Sequence, residues 1–563
     1  MKVSEIPYKR YTVEQAEEVF RAFCEANAAA TCVEDVIAAR KLMEDMSIEA
    51  GTAEALAYNR FSLNTKDPFY QEEMAYYDQA GPLFSQISVK FADLMLESPF
   101  RAELEQRLNP QIFKHYVNAK KSFAECITED VQQENAVITE YDKFMGDLLI
   151  DFRGEKLPLS VVRGKMEDTD RALRREAAEA IGRGLEAHRE ELDGFYDRLV
   201  HIRDTMAKKM GYKNYVELGY YRMGRIDYDV NMVRVFRENV KRDIVPVVRA
   251  LKQEIAEVLG IDSIHLYDED IYMQGDVPKP VLDKEPLFAA AQEMYDRMHP
   301  EVGDFMRMMQ ANEAFDVDSR EGKLGGGYCI HFPKYKQPFI FANFNGSSGD
   351  VDVITHEFGH ALADYFLSKE GDEELGVGGM ETAECHSMSM EFFSWPSMEA
   401  FFGKNVDRYR YKHLLSALSF IPYGVIVDEF QEKVYEHPEY TPQQRKELWL
   451  SLERDYRPYL SYEGIPYLSE GTRWQYQMHI YERPFYYIDY CLAQTVALSF
   501  LVASLEDYSG AFDRYLTFVR TGGSGAFEDT VRTAGLPSPF DKGALANIAA
   551  KVLEVATSIR SRI

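Results

Sequence analysis

Two histidines and a glutamate, spaced as His356-Glu357-Phe358-Gly359-His360, define the chemistry open to this chain. In a helix that rises about 1.5 Å and turns about 100° per residue, His356 and His360 lie one turn apart on one face and can share a metal ion. Glu357 lies about 100° round the helix, where its carboxylate can reach a water on that metal without being a ligand. A catalytic zinc takes three protein ligands and keeps a fourth position open, so one more ligand is needed. The residues after His360, Ala-Leu-Ala-Asp-Tyr-Phe, supply no further histidine. Asp364, one turn on, reads either as a group orienting His360 or as a solvated helix charge.

The next helical stretch, Met380 to Ser394, carries Glu381, Glu384 and Glu391 among Met, Cys and Phe. Relative to Glu384, Cys385 and His386 point about 100° and about 200° away, so they do not share its metal. Glu391 returns to within about 20° of the same face but lies about 10 Å along the axis, which suits support of a ligand rather than ligation. Glu381, about 60° off and nearly one turn earlier, stays open as a rival to Glu384.

The elements that must position these groups are mostly helical. Thr12-Val-Glu-Gln15 fits a capping box, and apolar residues recur at helical spacing from there to about residue 130. Breaks are expected at Asp67-Pro68, Gly81-Pro82 and Asn109-Pro110. Asp147 to Lys156 reads as a hairpin turned at Arg153-Gly154, where we place the boundary between an N-terminal helical domain, 1–160, and a catalytic domain, 161–563. Gly325–Pro333 and Pro338–Phe344 read as strands, the second running up to the motif helix with an edge that an extended peptide could pair. Downstream, helical patterns are expected to break at Pro422, Pro438 and Pro442. A tyrosine-rich tract follows from Tyr459 to Tyr490, and the Gly522–Gly525 break lacks the spacing of a phosphate loop.

Composition narrows the partners. A formal charge of −29 and a pI near 4.9 argue against a nucleic-acid backbone or an anionic membrane surface. The opening residues carry no apolar core of a secretory signal, and the apolar run Cys491–Leu505 reads as a buried core helix. Six scattered cysteines without C-x-x-C spacing fit reduced thiols, hence a cytoplasmic protein.

The segment Phe341–His360, taken with Glu384-Cys-His-Ser-Met-Ser-Met-Glu391, resembles the thimet oligopeptidase (M3) family of zinc peptidases, and most of all its bacterial oligoendopeptidase F and Pz-peptidase branch. The resemblance covers most of the chain. It implies a mainly α, two-lobed protein with a small β-sheet beside the active-site helix and a deep channel for short peptides. In that family the third ligand is the glutamate seven residues before a second glutamate, which falls on Glu384, giving one Zn²⁺ per chain on His356, His360 and Glu384. The family's downstream histidine and tyrosine, which support the tetrahedral intermediate, would be His479 and Tyr490, with Tyr487 and Tyr486 as alternates. A further channel tyrosine follows the histidine closely in the family; here Tyr481 precedes Glu482-Arg483-Pro484, so that role stays unassigned.

The implied function is cleavage of internal bonds in short peptides, with Glu357 as general base. The alternatives are a helical zinc carboxypeptidase, a non-haem iron enzyme on the same two histidines and carboxylate, and a peptide-binding protein with a vestigial site.

Overall fold

The computed structural model describes residues 1–563. Helices dominate, and the local signals set many of their ends. Thr12 and Gln15 form the expected reciprocal cap on Val13–Ala28, and Asn109 caps Pro110–Ser122 through the backbone N–H of Gln111. Arg153 and Gly154, both with positive φ, turn the hairpin Leu149–Phe152 to Glu155–Pro158.

Two expected breaks do not occur. Pro68–Leu96 and Val406–Glu436 run unbroken through Pro82 and Pro422. Both prolines are buried, and packing of these long helices against their neighbours outweighs one lost backbone hydrogen bond. Val33–Leu63 is likewise one continuous helix.

A small core joins Phe23, Val36, Met43, Phe91, Ile112 and Tyr116 from the first helices, with Leu375 from the loop after the motif helix. The main core draws on residues from Val3 to Ile559. At its centre Tyr487–Glu506 packs against Met380–Phe393 and Val406–Glu436. This helix has the length and hydropathy of a membrane span, yet 72% of its apolar window is buried inside the protein.

A three-stranded sheet lies beside the motif helix, with Gln337–Phe344 in the middle, parallel to Phe315–Asp318 and antiparallel to Tyr328–Phe332. The expected open edge is therefore misplaced. Gln337–Phe344 is paired on both sides, and six consecutive buried residues from Gln337 to Ala342 suit an internal strand. The unpaired edges belong to the outer strands, Tyr328–Phe332 and Phe315–Asp318, the second of which the sequence reading missed.

Candidate active site

The motif helix runs from Gly349 to Glu370. Asp350 ties down the turn before it, accepting hydrogen bonds from the backbone N–H groups of Asn345 (3.0 Å) and Gly346 (2.8 Å). The following helix, Met380–Phe393, has Ser394 as its C-cap, where the expected stretch ends, and Trp395-Pro396 comes next. The two helices pack closely at Gly359, where a Cβ would lie 2.5 Å from the carbonyl oxygen of His386 and 2.6 Å from Cα of Ser387. The glycine inside the motif is thus a packing requirement as well as a spacer.

That approach brings His356, His360 and Glu384 together. Glu384 Oε2 lies 3.5 Å from Nε2 of His356 and 3.7 Å from Nε2 of His360, and all three ligand atoms fall within 4.8 Å of one another. Two imidazole nitrogens and one carboxylate oxygen converging on a point are the donor set of a catalytic divalent metal, so these residues fit such an ion. Glu381, the rival, is not part of the cluster. It is buried beside Tyr228 and Asp489, and burial followed by the charge of Asp489 pushes its carboxyl up to about 8.

Behind the cluster, Glu391 Oε1 lies 2.6 Å from Nδ1 of His356 and Glu391 Oε2 lies 2.6 Å from Nε2 of His413. An ionised carboxylate only accepts, so His356 donates Nδ1–H to Glu391 and leaves Nε2 facing the point it shares with His360 and Glu384. Trp395 Nε1–H donates to Nδ1 of His413 at 2.9 Å, leaving the His413 proton on Nε2 for Glu391. The sequence indicated Glu391 but not His413 or Trp395, which follow no motif spacing. Asp364 meets neither expectation. It accepts from Cys329 Sγ at 3.8 Å, away from His360, and burial pushes it up to about 6 rather than leaving it solvated.

Electrostatics separates the three acids. Burial pushes Glu357 up to about 7, an effect that His356 opposes and Glu384 and Glu391 reinforce. Burial acts the same way on Glu384 and Glu391, but it is outweighed: hydrogen bonding and charge from His356 and His360, with the Tyr486 phenol, hold Glu384 at about 2, and His356 with His413 holds Glu391 at about 2. One carboxyl is thus poised to exchange protons near neutrality while two stay anionic, a division that marks acid–base assignments in enzyme sites. Burial disfavours a charged His356, yet Glu384 and Glu391 together drive its pKa well upward, so the pocket between them attracts positive charge. His360 is held neutral, at about 4, chiefly by burial.

The downstream candidates divide. His479, Tyr486, Tyr487 and Tyr490 cluster, with ring centroids 5.8, 5.1 and 5.9 Å from His479 in that order. His479 and Tyr490 line a cavity of about 400 Å³ together with Glu391, Met388 and Phe420. Tyr486 is engaged differently, its phenol donating to Glu384 Oε1 at 2.7 Å. Tyr487 also borders the cavity. Tyr481 is excluded from the group. Its ring is fully buried and stacks on Tyr141 at 3.9 Å, in the core.

The model of the peptidase M3 N-terminal domain matches residues 3–123, and that of peptidase family M3 matches residues 165–550. The structure is similar to that of Pz peptidase A with an inhibitor, at 38% identity over 100% of both chains with a TM-score of 0.95. It is also similar to a structure from Bacillus anthracis str. Ames assigned as an oligoendopeptidase F, at 36% identity over 100% of this chain and 99% of that one, with a TM-score of 0.90. Among curated proteins, oligopeptidase PepF of Bacillus subtilis (strain 168) is 23% identical over 299 residues. That match spans 51% of this chain and 43% of the relative's length.

Proposed function

The chain belongs to peptidase family M3 and is a metallopeptidase, and from that premise we propose that it is a zinc endopeptidase cleaving internal bonds of short peptides. The observation that carries this reading is the convergence of His356, His360 and Glu384 beside a Glu357 poised near neutrality. His356, His360 and Glu384 would hold one zinc ion. When bound, zinc supplies Lewis acidity, which lowers the pKa of water toward about 7 and polarises a carbonyl.

Glu357 takes the proton of the attacking water and returns it to the leaving amine. His479 and Tyr490, which line a cavity with Glu391 of the second site helix, donate hydrogen bonds to the oxyanion that develops on the scissile carbonyl. Tyr486 holds Glu384 through its phenol. The unpaired edge of Tyr328–Phe332 offers backbone groups for an extended peptide, and Gly327 just before it adjoins Glu357, a Cβ there standing in ordinary contact with Oε1 at 3.8 Å. We take residues 1–160 as an N-terminal helical domain and 161–563 as the catalytic domain. Six unpaired thiols support a cytoplasmic location.

Incubation with a mixed library of short peptides, each both end-blocked and with free ends, with and without chelator and added zinc, tests this reading by mass spectrometry. Chelator-sensitive internal cleavage is expected. Release of single C-terminal residues from peptides with free ends would replace it with the carboxypeptidase reading, and no cleavage would overturn both.

A further inference from the structure

The loop that delivers His479 also sets a proton. We propose that Gln477 is a positioning residue that fixes the imidazole of His479 with its proton on Nε2, so that the ring presents a hydrogen-bond donor to the reacting peptide. This rests on the reading of His479 as an oxyanion donor. Gln477 is the single extended residue between the 3₁₀ turn Arg473–Tyr476 and the short helix Met478–Glu482, two residues before His479. Its side chain bridges two elements that are distant in sequence: Oε1 lies 2.7 Å from the phenol of Tyr423, on Val406–Glu436, and Nε2 lies 3.0 Å from Nδ1 of His479.

The phenol decides which way the amide points. Tyr423 is 8% exposed, and its only hydrogen-bond partner is Gln477. Its O–H must therefore be donated to Oε1; a reversed amide would leave a buried donor unpaired. The ring of Tyr423 is itself fixed by two guanidinium groups, Arg473 at 4.4 Å and Arg457 at 4.9 Å from its centroid. With Oε1 facing Tyr423, the amide N–H points at Nδ1 of His479, which must accept. A neutral imidazole that accepts at Nδ1 carries its proton at Nε2. The ring is neutral because burial and then the charge of Arg483 outweigh the pull of Glu384, holding it at about 4. The rings of Tyr486, Tyr487 and Tyr490 pack against it, and Asp352, Glu391 and His413 line the same cavity.

The test combines kinetics with a direct view of the proton. In Gln477→Met, kcat on a blocked peptide should fall about tenfold or more with KM little changed, as for loss of an oxyanion donor's alignment. Tyr423→Phe frees the amide to reverse and should lower kcat in the same way, which keeps the question open to experiment if Gln477→Met fails to fold. Gln477→Glu separates positioning from mere support. Its carboxylate draws the imidazole proton to Nδ1 and bares Nε2 near neutral pH, while at lower pH the imidazolium carries both protons. The kcat profile should therefore gain a new alkaline limb that wild type lacks.

The protonation state is read directly by ¹⁵N resonances of histidine-labelled protein in the Glu357→Gln background, with His479 assigned by its absence in His479→Gln. A protonated Nε2 and an accepting Nδ1 are expected. A proton on Nδ1 in the Gln477 protein, or a wild-type pH profile in Gln477→Glu, would overturn the inference. Failure of the wild-type protein to cleave any peptide would instead sink the peptidase reading, and the resonances would still decide the protonation of His479.

Discussion

Replacing Glu391 by glutamine tests the construction of the metal site without touching a ligand. The carboxylate faces two N–H groups at 2.6 Å, Nδ1–H of His356 and Nε2–H of His413. Glutamine offers one oxygen and one NH₂, so one of the two imidazoles must confront a donor. His413 cannot yield easily, because Trp395 already donates to its other nitrogen at 2.9 Å. The misfit therefore falls on His356, which either loses its acceptor or moves its proton to Nε2, the atom that faces the metal position. A hydrogen bond to a charged group contributes about 1.5–3 kcal/mol, and loss of such a partner behind a metal-binding histidine weakens metal affinity about 10–100-fold, or about 1.4–2.8 kcal/mol. Competition with a chromophoric chelator at fixed pH measures this as a raised zinc dissociation constant, with activity recovered at excess zinc. Asp364→Asn is the control, since Asp364 contacts Cys329 and neither metal-facing imidazole. An unchanged dissociation constant in Glu391→Gln would refute the assigned proton positions.

Three other outcomes follow from the same geometry. Glu357→Gln should keep zinc and lose at least about 10²-fold in kcat, as measured by metal analysis and peptide turnover; full activity would remove Glu357 as the base. Gly359→Ala should cost about 1–3 kcal/mol in urea unfolding and weaken zinc binding, because its Cβ would stand 2.5 Å from the His386 carbonyl oxygen on the ligand-bearing helix. Buried Glu134 lies 2.6 Å from Arg203 and 2.7 Å from Arg222, and these cations outweigh burial to lower it from 4.5 to about 2. Its folded pKa lies below its unfolded one, so its contribution of about 3 kcal/mol is present above pH ~4.5 and is lost as pH falls toward ~2. Glu134→Gln should therefore be markedly less stable than wild type in urea at pH 7, with the gap narrowing at pH 3; an equal gap at both would refute the pairing.

What could be read from the sequence was local in the chain. Both histidines, Glu357, the bounds of the two site helices and the support role of Glu391 follow from turns of about 100° and from residues adjacent in number. The choice of Glu384 over Glu381 needed more, since the angular argument left them about 60° apart; in the fold, Glu381 faces Tyr228 and Asp489 instead. Where distant elements meet, the sequence carried no period to read. His413 and Trp395 reach Glu391 from beyond the site helices, and Phe315–Asp318 takes one edge of Gln337–Phe344 from upstream. The prolines at 82 and 422 failed as break signals for the same reason, because the packing that tolerates them is tertiary.

The two sides of the site need opposite imidazoles, and the chain supplies opposite partners. A histidine that binds a metal through Nε2 must carry its proton on Nδ1, and this requires an acceptor behind it, which Glu391 provides to His356 at 2.6 Å. A neutral histidine that donates from Nε2 must leave Nδ1 bare, and this requires a donor behind it, which Gln477 provides to His479 at 3.0 Å. Neither partner could simply be exchanged. An amide behind His356 would weaken its hold on a metal, and a carboxylate behind His479 would take the proton from the face where an oxyanion forms. Each partner is itself fixed from a third element, Glu391 through His413 and Trp395, and Gln477 through Tyr423 between its two arginines. His413 and Tyr423 lie on one helix, Val406–Glu436, which thereby sets the proton on both sides of the site. A disturbance of that helix should alter metal affinity and turnover together, although none of its residues ligates the metal in this reading.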